Sequence, residues 1–219
     1  MIHKGTTSLE VKVYNELQEM ILSNDLKKGE SLAELTLSEK LGVSRTPVRS
    51  ALQRLSEEGL VEIVPNRGAV VIGITKEDLI DIYHIRMRLE GLASAMATEK
   101  ITEEMKKKLI ETLELSEFYL QKNNTEHFKE LDTEFHRMIF EASGSRTLER
   151  ILSDLHRNTK AYRKRAFTIP GRLEKTTEEH REILNAILRG DSAEADRLTS
   201  AHIEHALANM LTAIAINEV

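Results

Sequence analysis

Four polar residues in the second half of the chain fall on or beside the apolar faces of predicted helices: Asp132, His136, His180 and His202. Asp132 and His136 are four residues apart, so both lie at the edge of the apolar stripe predicted for a helix near 126–142. His180 lies at the centre of the apolar face predicted near 174–189, and His202 has the same position in a helix near 192–216. Burying this many polar groups without partners would cost several kcal/mol.

A bound divalent cation would satisfy the four side chains together, because imidazole nitrogen and carboxylate oxygen are natural ligands of such ions. The sequence therefore predicts a site for an ion of the zinc, nickel or manganese class, held by Asp132, His136, His180 and His202. The alternative is a set of core histidines that are satisfied by one another, by Asp132 or by water. His205, one turn beyond His202, is a candidate outer or substitute ligand.

Another inward polar residue is Arg86, which falls on the apolar stripe of a helix predicted near 76–100. The simplest account of its position is an ion pair with Glu90, four residues further along the same helix.

A different chemistry is indicated by the stretch LGVSRTPVRSAL, residues 41–52. Its predicted helix buries Val48, Leu52 and Leu55, with Ser44 as the N-cap whose hydroxyl accepts an early backbone N–H. The exposed polar residues at its start are Ser44, Arg45, Thr46 and Arg49. Arginine can bond O6 and N7 of guanine together, while hydroxyls and a helix N-terminus suit phosphate. A solvated helix face is the alternative, but the surrounding elements favour DNA binding.

Those surrounding elements are predicted from periodicity and from turn residues. Helices are expected near 9–22, 35–41 and 44–58, and they are followed by two β-branched runs, LVEIV and GAVVIGI. The runs are joined by Pro65-Asn66-Arg67-Gly68, which is typical of a hairpin. Three helices and a hairpin predict a winged helix-turn-helix domain over residues 1–73, with Arg67 and Gly68 at the wing.

The remainder of the chain, residues 74–219, is predicted to be a second, all-helical domain. Helices are expected near 76–100, 103–121, 126–142, 146–165, 174–189 and 192–216. The predicted fold is thus mainly α, with a winged helix-turn-helix followed by a bundle of about six helices. The helices near 126–142, 174–189 and 192–216 would have to meet for the metal site to form.

Composition limits the possible functions. The net charge of −5 does not indicate a nucleic-acid binder, but a local basic surface can still dominate one face. With no cysteine, no signal-peptide pattern and no membrane-spanning run, a cytoplasmic protein without membrane attachment is expected. There is neither a phosphate-binding loop nor a nucleophile elbow, so an enzyme is not expected.

Residues 29–71 resemble the winged helix-turn-helix of GntR-type bacterial transcription regulators, most densely in LGVSRTPVR and in the words EGLV and RG. The resemblance implies that Arg45 and Arg49 read bases and that Ser44 and Thr46 hold phosphates. It also implies that Arg67 and Gly68 bring the wing to the DNA. Two departures are present. Leu35 stands where many relatives carry an arginine, and Ser50 replaces a common glutamate.

Residues 76–215 resemble the FCD effector domain of the FadR-type branch, and the small six-helix form is most similar to its VanR-like subgroup. Many of its members bind a metal through Asp-x3-His and two later histidines, which correspond to Asp132, His136, His180 and His202. In relatives an arginine comparable to Arg86 meets the carboxylate of a small organic acid. Acyl-CoA is not expected as the ligand, because FadR itself lacks this metal set.

These patterns together predict a homodimeric regulator that binds double-stranded DNA at a palindromic operator and responds to a small carboxylate at the metal site. Two alternatives remain open. In one, the metal itself is the signal. In the other, the helical domain is a metal-dependent enzyme with an appended DNA-binding module, since three histidines and an acid with an open position could activate water.

Overall fold

The computed structural model describes residues 9–65 and 67–217, and the chain separates into two compact units. The first unit ends at Asp78 and the second begins at Leu79. This division lies in the first turn of a helix, slightly beyond the boundary expected after residue 73. Within the described residues no helix is both long enough and apolar enough to cross a membrane.

Among the residues that the structure describes, three helices and a small sheet form the first unit. Its elements are α1 (Leu9–Leu22), β1 (Ser31–Leu32), α2 (Glu34–Leu41), α3 (Arg45–Glu57), β2 (Val61–Val64) and β3 (Gly68–Val71). The predicted hairpin is present, and β1, which is too short to give a periodic pattern, adds a third strand in the antiparallel order β1-β3-β2. Leu17 of α1 packs with Val48 and Leu55 of α3 in the core, and each is fully buried.

The start of α3 corrects one detail of the sequence interpretation. Ser44 occupies the N-cap position in extended backbone, but its side chain makes no capping hydrogen bond. The turn before it is set by Gly42, whose left-handed backbone ends α2 with φ of 64°. The geometry of that glycine turn, rather than a serine cap, brings the chain from α2 into α3.

The base of the wing is held by a close backbone contact. Gly68 has φ of +92°, and a Cβ atom built there would lie 2.2 Å from the carbonyl oxygen of Leu32 in β1. Only glycine fits this position, whatever its role towards DNA. Asn66, which belongs to the predicted hairpin link, lies outside the described residues.

In the described part of the chain, six helices make up the second unit, and the first of them begins three residues before the division. They are α4 (Lys76–Lys100), α5 (Glu103–Gln121), α6 (Thr125–Ala142), α7 (Arg146–Ala166), α8 (Arg172–Arg189) and α9 (Ser192–Asn217). Helices α5, α6 and α8 share a core that contains Leu109, Phe135 and Ile183, each at most 1% exposed. Helix α4 approaches α9 so closely that a Cβ on Gly91 would lie 2.1 Å from a carboxylate oxygen of Asp196. This packing brings α4, α6, α8 and α9 around one buried polar cluster.

Candidate metal centre and nucleic-acid interface

Three imidazole rings meet inside the helical unit. His136 on α6, His180 on α8 and His202 on α9 are each at most 3% exposed. Their ring centroids form a triangle, with 5.1 Å from His136 to His180, 4.8 Å from His180 to His202 and 5.2 Å from His136 to His202. One nitrogen from each ring lies within 4.8 Å of the others, so one ion could accept all three.

Buried carboxylates stand behind two of these rings. Nδ1 of His202 donates to Glu179 at 2.7 Å, and Nδ1 of His136 lies 3.0 Å from Oε2 of Glu90. A carboxylate at Nδ1 fixes the ring's orientation and leaves Nε2 as the nitrogen available to a cation. Glu179 therefore has the placement of a residue that orients a metal ligand. Glu90 lies close to Nδ1 of His136, and both carboxylates are buried.

Asp132 is the fourth ligand that the sequence predicts, and it is not part of the group of ligand atoms that lie within 4.8 Å of one another. It is 4% exposed and lies one helical turn before His136. Its carboxylate oxygens are 3.8 Å from Nε2 of His180 and 3.7 Å from Nη1 of Arg163. Both separations are too long for hydrogen bonds, so Asp132 lies beside His180 and Arg163 without a direct hydrogen bond to either atom.

Burial governs the ionisation of the cluster. It holds the pKa of His180 well below its usual value, helped by the neighbouring His202 and His136. Burial also lowers the pKa of His202, although the hydrogen bond to Glu179 opposes this. The pKa of Glu179 is lowered to about 2 because the hydrogen bond from His202 and the charge of Arg172 outweigh its desolvation. Neutral imidazoles beside ionised carboxylates are the protonation states that a metal site requires.

A second group of possible ligands, Glu90, His136 and His156, overlaps with the first. His156 is less suited to an ion because both of its nitrogens are engaged. Nδ1 accepts from Arg163 at 2.7 Å, since a guanidinium only donates, and Nε2 donates to Glu90 at 3.0 Å. Two guanidiniums beside this ring would also repel a cation. The structure therefore favours the group formed by His136, His180 and His202.

Arg86 lies next to the cluster and is 1% exposed. Its guanidinium donates to Glu90 at 2.7 Å, which is the intrahelical pair predicted from the sequence. It also reaches Thr159 at 3.3 Å and lies 2.9 Å from Nε2 of His156. Arg86 is thus held by α4 and α7 together, close to the site predicted for an organic acid.

The buried polar atoms of this unit that lack a hydrogen-bond partner lie around the same imidazole cluster. In the described residues, four buried side-chain polar atoms lack a hydrogen-bond partner: Tyr83 Oη, Glu90 Oε2, Arg163 Nε and His180 Nε2. The contact of Glu90 Oε2 with His136 is close but is not directed as a hydrogen bond. Each such atom costs about 1–3 kcal/mol when nothing satisfies it. Their convergence indicates a site built for a ligand.

Two cavities adjoin the cluster. One of about 20 Å³, the size of a single water or ion, is lined by Arg86, Asp132, His136, His202 and others. A more open cavity of about 250 Å³ is lined by two lysines and two glutamates, Lys129, Lys160, Glu126 and Glu130, among others. Asp132, Arg163 and Phe167 line both cavities. A small molecule in the larger cavity would therefore contact the residues that border the candidate metal centre.

Four residues of the site were not anticipated from the sequence: His156, Arg163, Arg172 and Glu179. Their signal is helical periodicity. On α7, His156 and Arg163 continue the buried stripe that Leu148 and Leu152 begin. Arg172 and Glu179, seven residues apart on α8, pair through Nη1 at 3.1 Å. Their spacing places them on the inward faces of α7 and α8, although their charge is typical of a solvated face.

His205 lies outside the imidazole cluster. Its side chain is 53% exposed, and Nδ1 donates to Glu179 at 2.8 Å on the side away from the buried rings. Its position is that of an outer partner of Glu179, rather than that of a substitute for His202.

The predicted DNA-reading residues form an open surface on the first unit. The side chains of Arg45 and Arg49 are 60% and 68% exposed. Ser44, Thr46 and Arg67 are also exposed, and Arg67 and Gly68 line a groove of about 530 Å³ together with both arginines. The groove runs between the N-terminal end of α3 and the wing. The acidic residue Glu34 of α2 also lines the groove, and its carboxylate binds both arginines.

Similarity to known proteins agrees with this geometry. The chain matches the bacterial regulatory proteins of the gntR family over residues 9–71 and the FCD domain over residues 81–205. It is 30% identical over 201 residues to the HTH-type transcriptional regulator YdhC of Bacillus subtilis, covering 91% of this chain and 89% of that one. The chain belongs to the GntR family of bacterial regulators. It is a DNA-binding transcription regulator of the FCD-containing type.

Further relatives of this GntR regulator carry related names. The HTH-type transcriptional regulator McbR of Escherichia coli is 32% identical over 148 residues, or 68% of this chain and 67% of McbR. The gluconate operon transcriptional repressor of B. subtilis is 31% identical over 68% of this chain and 60% of its own length. The solved structure of E. coli McbR/YncC superimposes with a TM-score of 0.76 at 26% identity, covering 94% of this chain and 99% of that one.

Proposed function

We propose that this GntR regulator binds a palindromic operator as a homodimer and responds to a small carboxylate at a metal centre in its helical unit. The observation that carries the proposal is the meeting of His136, His180 and His202 within 4.8 Å, backed by buried carboxylates. Such an arrangement is costly without a ligand and well suited to a divalent cation.

The residues that fit the ion are Asp132, His136, His180 and His202. Support for this choice comes from the buried Nε2 of His180, which has no hydrogen-bond partner, and from Glu179, which accepts a hydrogen bond from Nδ1 of His202. A bound cation of the zinc, nickel or manganese class would supply a positive centre with coordination positions left for an exogenous ligand. The protein's own residues would fix the imidazoles and exclude competing solvent.

Charge balance supports an anionic effector. Three buried guanidiniums, those of Arg86, Arg163 and Arg172, face three buried carboxylates, those of Glu90, Asp132 and Glu179. With neutral imidazoles the cluster is balanced, and a divalent cation would add two positive charges. A carboxylate ligand would restore the balance in a place where an uncompensated charge is expensive.

Arg86 and Arg163 have different roles in this proposal. Arg86 already donates to Glu90 and Thr159, so an effector would bind its remaining N–H groups. Arg163 has an unpaired, buried Nε and lines both cavities. It is therefore the second guanidinium that an incoming carboxylate would meet. One relative is named for the gluconate operon, and gluconate is a small carboxylate.

A two-fold dimer follows from the expected operator. Two recognition helices that read adjacent half-sites of one duplex require matching symmetry. Ile85 and Leu92 are seven residues apart on α4, and both are nearly half exposed, at 48% and 46%. This apolar face is available to the same face of a second copy. For regulation, the effector must bind more tightly to one arrangement of the dimer than to the other.

The test begins with elemental analysis of protein purified without chelator and with identification of any small acid that copurifies. DNA binding by the metal-loaded regulator is then measured with and without a panel of small carboxylates. We expect stoichiometric metal and an effector that changes operator affinity at least several-fold. If chelation alone changes affinity and no acid does, the metal itself is the signal. Turnover of the bound acid would instead indicate an enzyme.

A further inference from the structure

Glu34 occupies the space between the two arginines that are expected to read bases. Its carboxylate accepts two hydrogen bonds from Arg49, through Nε and Nη2, both at 2.8 Å. It accepts a third from Nη2 of Arg45 at 3.1 Å. The forked contact with Arg49 is the bidentate geometry in which guanidinium and carboxylate pair most strongly.

We propose that Glu34 is a specificity-determining residue, which holds Arg45 and Arg49 in position for base readout and weakens their attraction to DNA of any sequence. The inference rests on the proposed binding of α3 to the operator. The role comes from the three hydrogen bonds that Glu34 accepts.

The Glu34 carboxylate and the edge of guanine are similar acceptors, and this similarity explains how Glu34 positions the arginines. A carboxylate presents two oxygens in one plane, and guanine presents O6 and N7 in one plane to the same guanidinium fork. In the free regulator Glu34 thus takes the place of a guanine edge for Arg49. Arginines held in this way have fewer side-chain conformations to lose when they meet a base.

The charge of Glu34 explains the effect on other DNA. Two exposed guanidiniums would attract any phosphate backbone, and this attraction supplies non-specific affinity. One adjacent negative charge cancels part of it. A base edge that fits the guanidinium of Arg49 takes the place of the Glu34 carboxylate. A phosphate that cannot contact both arginines does not displace that carboxylate. Glu34 therefore penalises the wrong sequence more than the right one.

The exposure of the three side chains argues against a purely structural ion pair. Arg45 and Arg49 are 60% and 68% exposed, whereas Glu34 is 18% exposed at the edge of the groove beside the wing. Surface pairs of this kind contribute little to folding. Hydrogen bonds from Arg49 hold the pKa of Glu34 at about 2, so the carboxylate stays ionised at any pH used for DNA binding.

The experiment compares the full-length parent with the E34Q and E39Q variants. Glu39 is the matched control, since it is exposed on the same helix and its replacement removes the same charge. An operator is first selected with the parent from random duplexes. Affinity for this operator and for an unrelated duplex is then measured at one salt concentration.

For E34Q we expect non-specific affinity to rise and the ratio of operator to non-specific affinity to fall on the order of tenfold. Repeating the selection with E34Q should broaden the base preference at the positions that Arg45 and Arg49 read. E39Q should keep the parent's ratio and base preference. In an R49A background the effect of Glu34→Gln on base preference should shrink, because the residue acts through that arginine.

The outcomes separate this inference from the function on which it rests. If the parent selects an operator but E34Q and E39Q have the same ratio and the same base preference, Glu34 has no part in specificity. If the parent selects no sequence at all, the proposed operator binding itself is wrong, and the role of Glu34 is overturned with it.

Discussion

Nδ1 of His202 lies 2.7 Å from the carboxylate of Glu179, a residue that also pairs with Arg172 on its own helix. A ring held at Nδ1 by an ionised carboxylate presents Nε2 in a fixed direction. The imidazole cluster is therefore oriented by residues outside it, and its properties depend on them.

The first prediction concerns this contact. Glu179→Gln should weaken metal binding by about 10- to 100-fold, because the amide cannot support the His202 ring as the carboxylate does. Competition titration with a metal-binding dye measures the change. The control is Glu178→Gln, an adjacent exposed residue that pairs only with Lys175 among the contacts of the described chain. Equal affinity for both variants would remove Glu179 from the site.

A second prediction concerns stability. A metal that binds only the folded state at 100 times its Kd adds about 2.7 kcal/mol, or roughly 5–10 °C in Tm for a unit of this size. Chelation should lower Tm by this amount, and readdition of zinc, nickel or manganese should restore it. His180→Ala should abolish the response. His127→Ala, on an exposed ring stacked against Tyr119, should preserve it. A Tm indifferent to every metal would argue for a core of histidines without an ion.

The third prediction is the pH dependence of the metal-free protein. Burial lowers the pKa values of His156, His180 and His202, so these rings stay neutral in the folded state. Below the unfolded value of about 6.5 the unfolded chain takes up more protons, and each ring then costs up to about 1.4 kcal/mol of stability per pH unit.

The stability that depends on these three rings being neutral is therefore present above about pH 6.5 and is lost as the pH falls. Glu179, with a folded pKa of about 2, contributes stability that is lost only below about pH 4.3, outside this window. Urea denaturation of chelator-treated protein between pH 7.5 and 5.5 measures the slope. His84→Gln, at an exposed position on α4, should leave it unchanged. A flat profile would contradict the burial of neutral rings.

The fourth prediction concerns DNA. Arg49→Ala should weaken operator binding by about ten- to hundredfold, because a bidentate base contact is lost. The fold should be unaffected, since Arg49 lies opposite the buried Val48 and Leu52. Fluorescence anisotropy at one salt concentration measures the affinity, and Lys12→Ala on α1 provides an exposed-cation control. Parent-like binding by the Arg49 variant would exclude it from readout.

The fifth prediction concerns assembly. The regulator should be a dimer at micromolar concentration, and Leu92→Glu should shift it towards monomer, because a charge would enter the apolar α4 face. Sedimentation velocity distinguishes the species. Leu115→Glu, at a similarly exposed position on α5, is the comparison variant. A parent that remains monomeric both alone and on operator DNA would refute the two-fold assembly.

Sequence periodicity was sufficient to place the helices and to select His136, His180 and His202. Long amphipathic helices repeat one signal over many turns, so their existence and their inward face are well determined. The two-residue β1 has no such repeat, and its pairing with β3 depends on contacts distant in the chain. Local pattern could not predict it.

The outer part of the site was harder to predict because its residues look solvated in sequence. Arg163 stands in a basic tract beside Lys160, and Glu179 follows another glutamate. Each is buried beside a group on another helix: Asp132 of α6 lies 3.7 Å from Arg163, and His202 of α9 bonds to Glu179. The role of Glu34 could not be predicted from local sequence either, because its arginine partners lie 11 and 15 residues away.

The contact between Gly68 and Leu32 determines how the wing can be studied by mutation. Any side chain at Gly68 would strike the Leu32 carbonyl and push β3 away from β1, just ahead of the residues that lead into α2. A Gly68 variant that fails to bind DNA would therefore report a broken sheet and not a lost groove contact. Arg67, exposed at the neighbouring position, is the residue whose truncation measures the wing's share of affinity while the sheet stays intact.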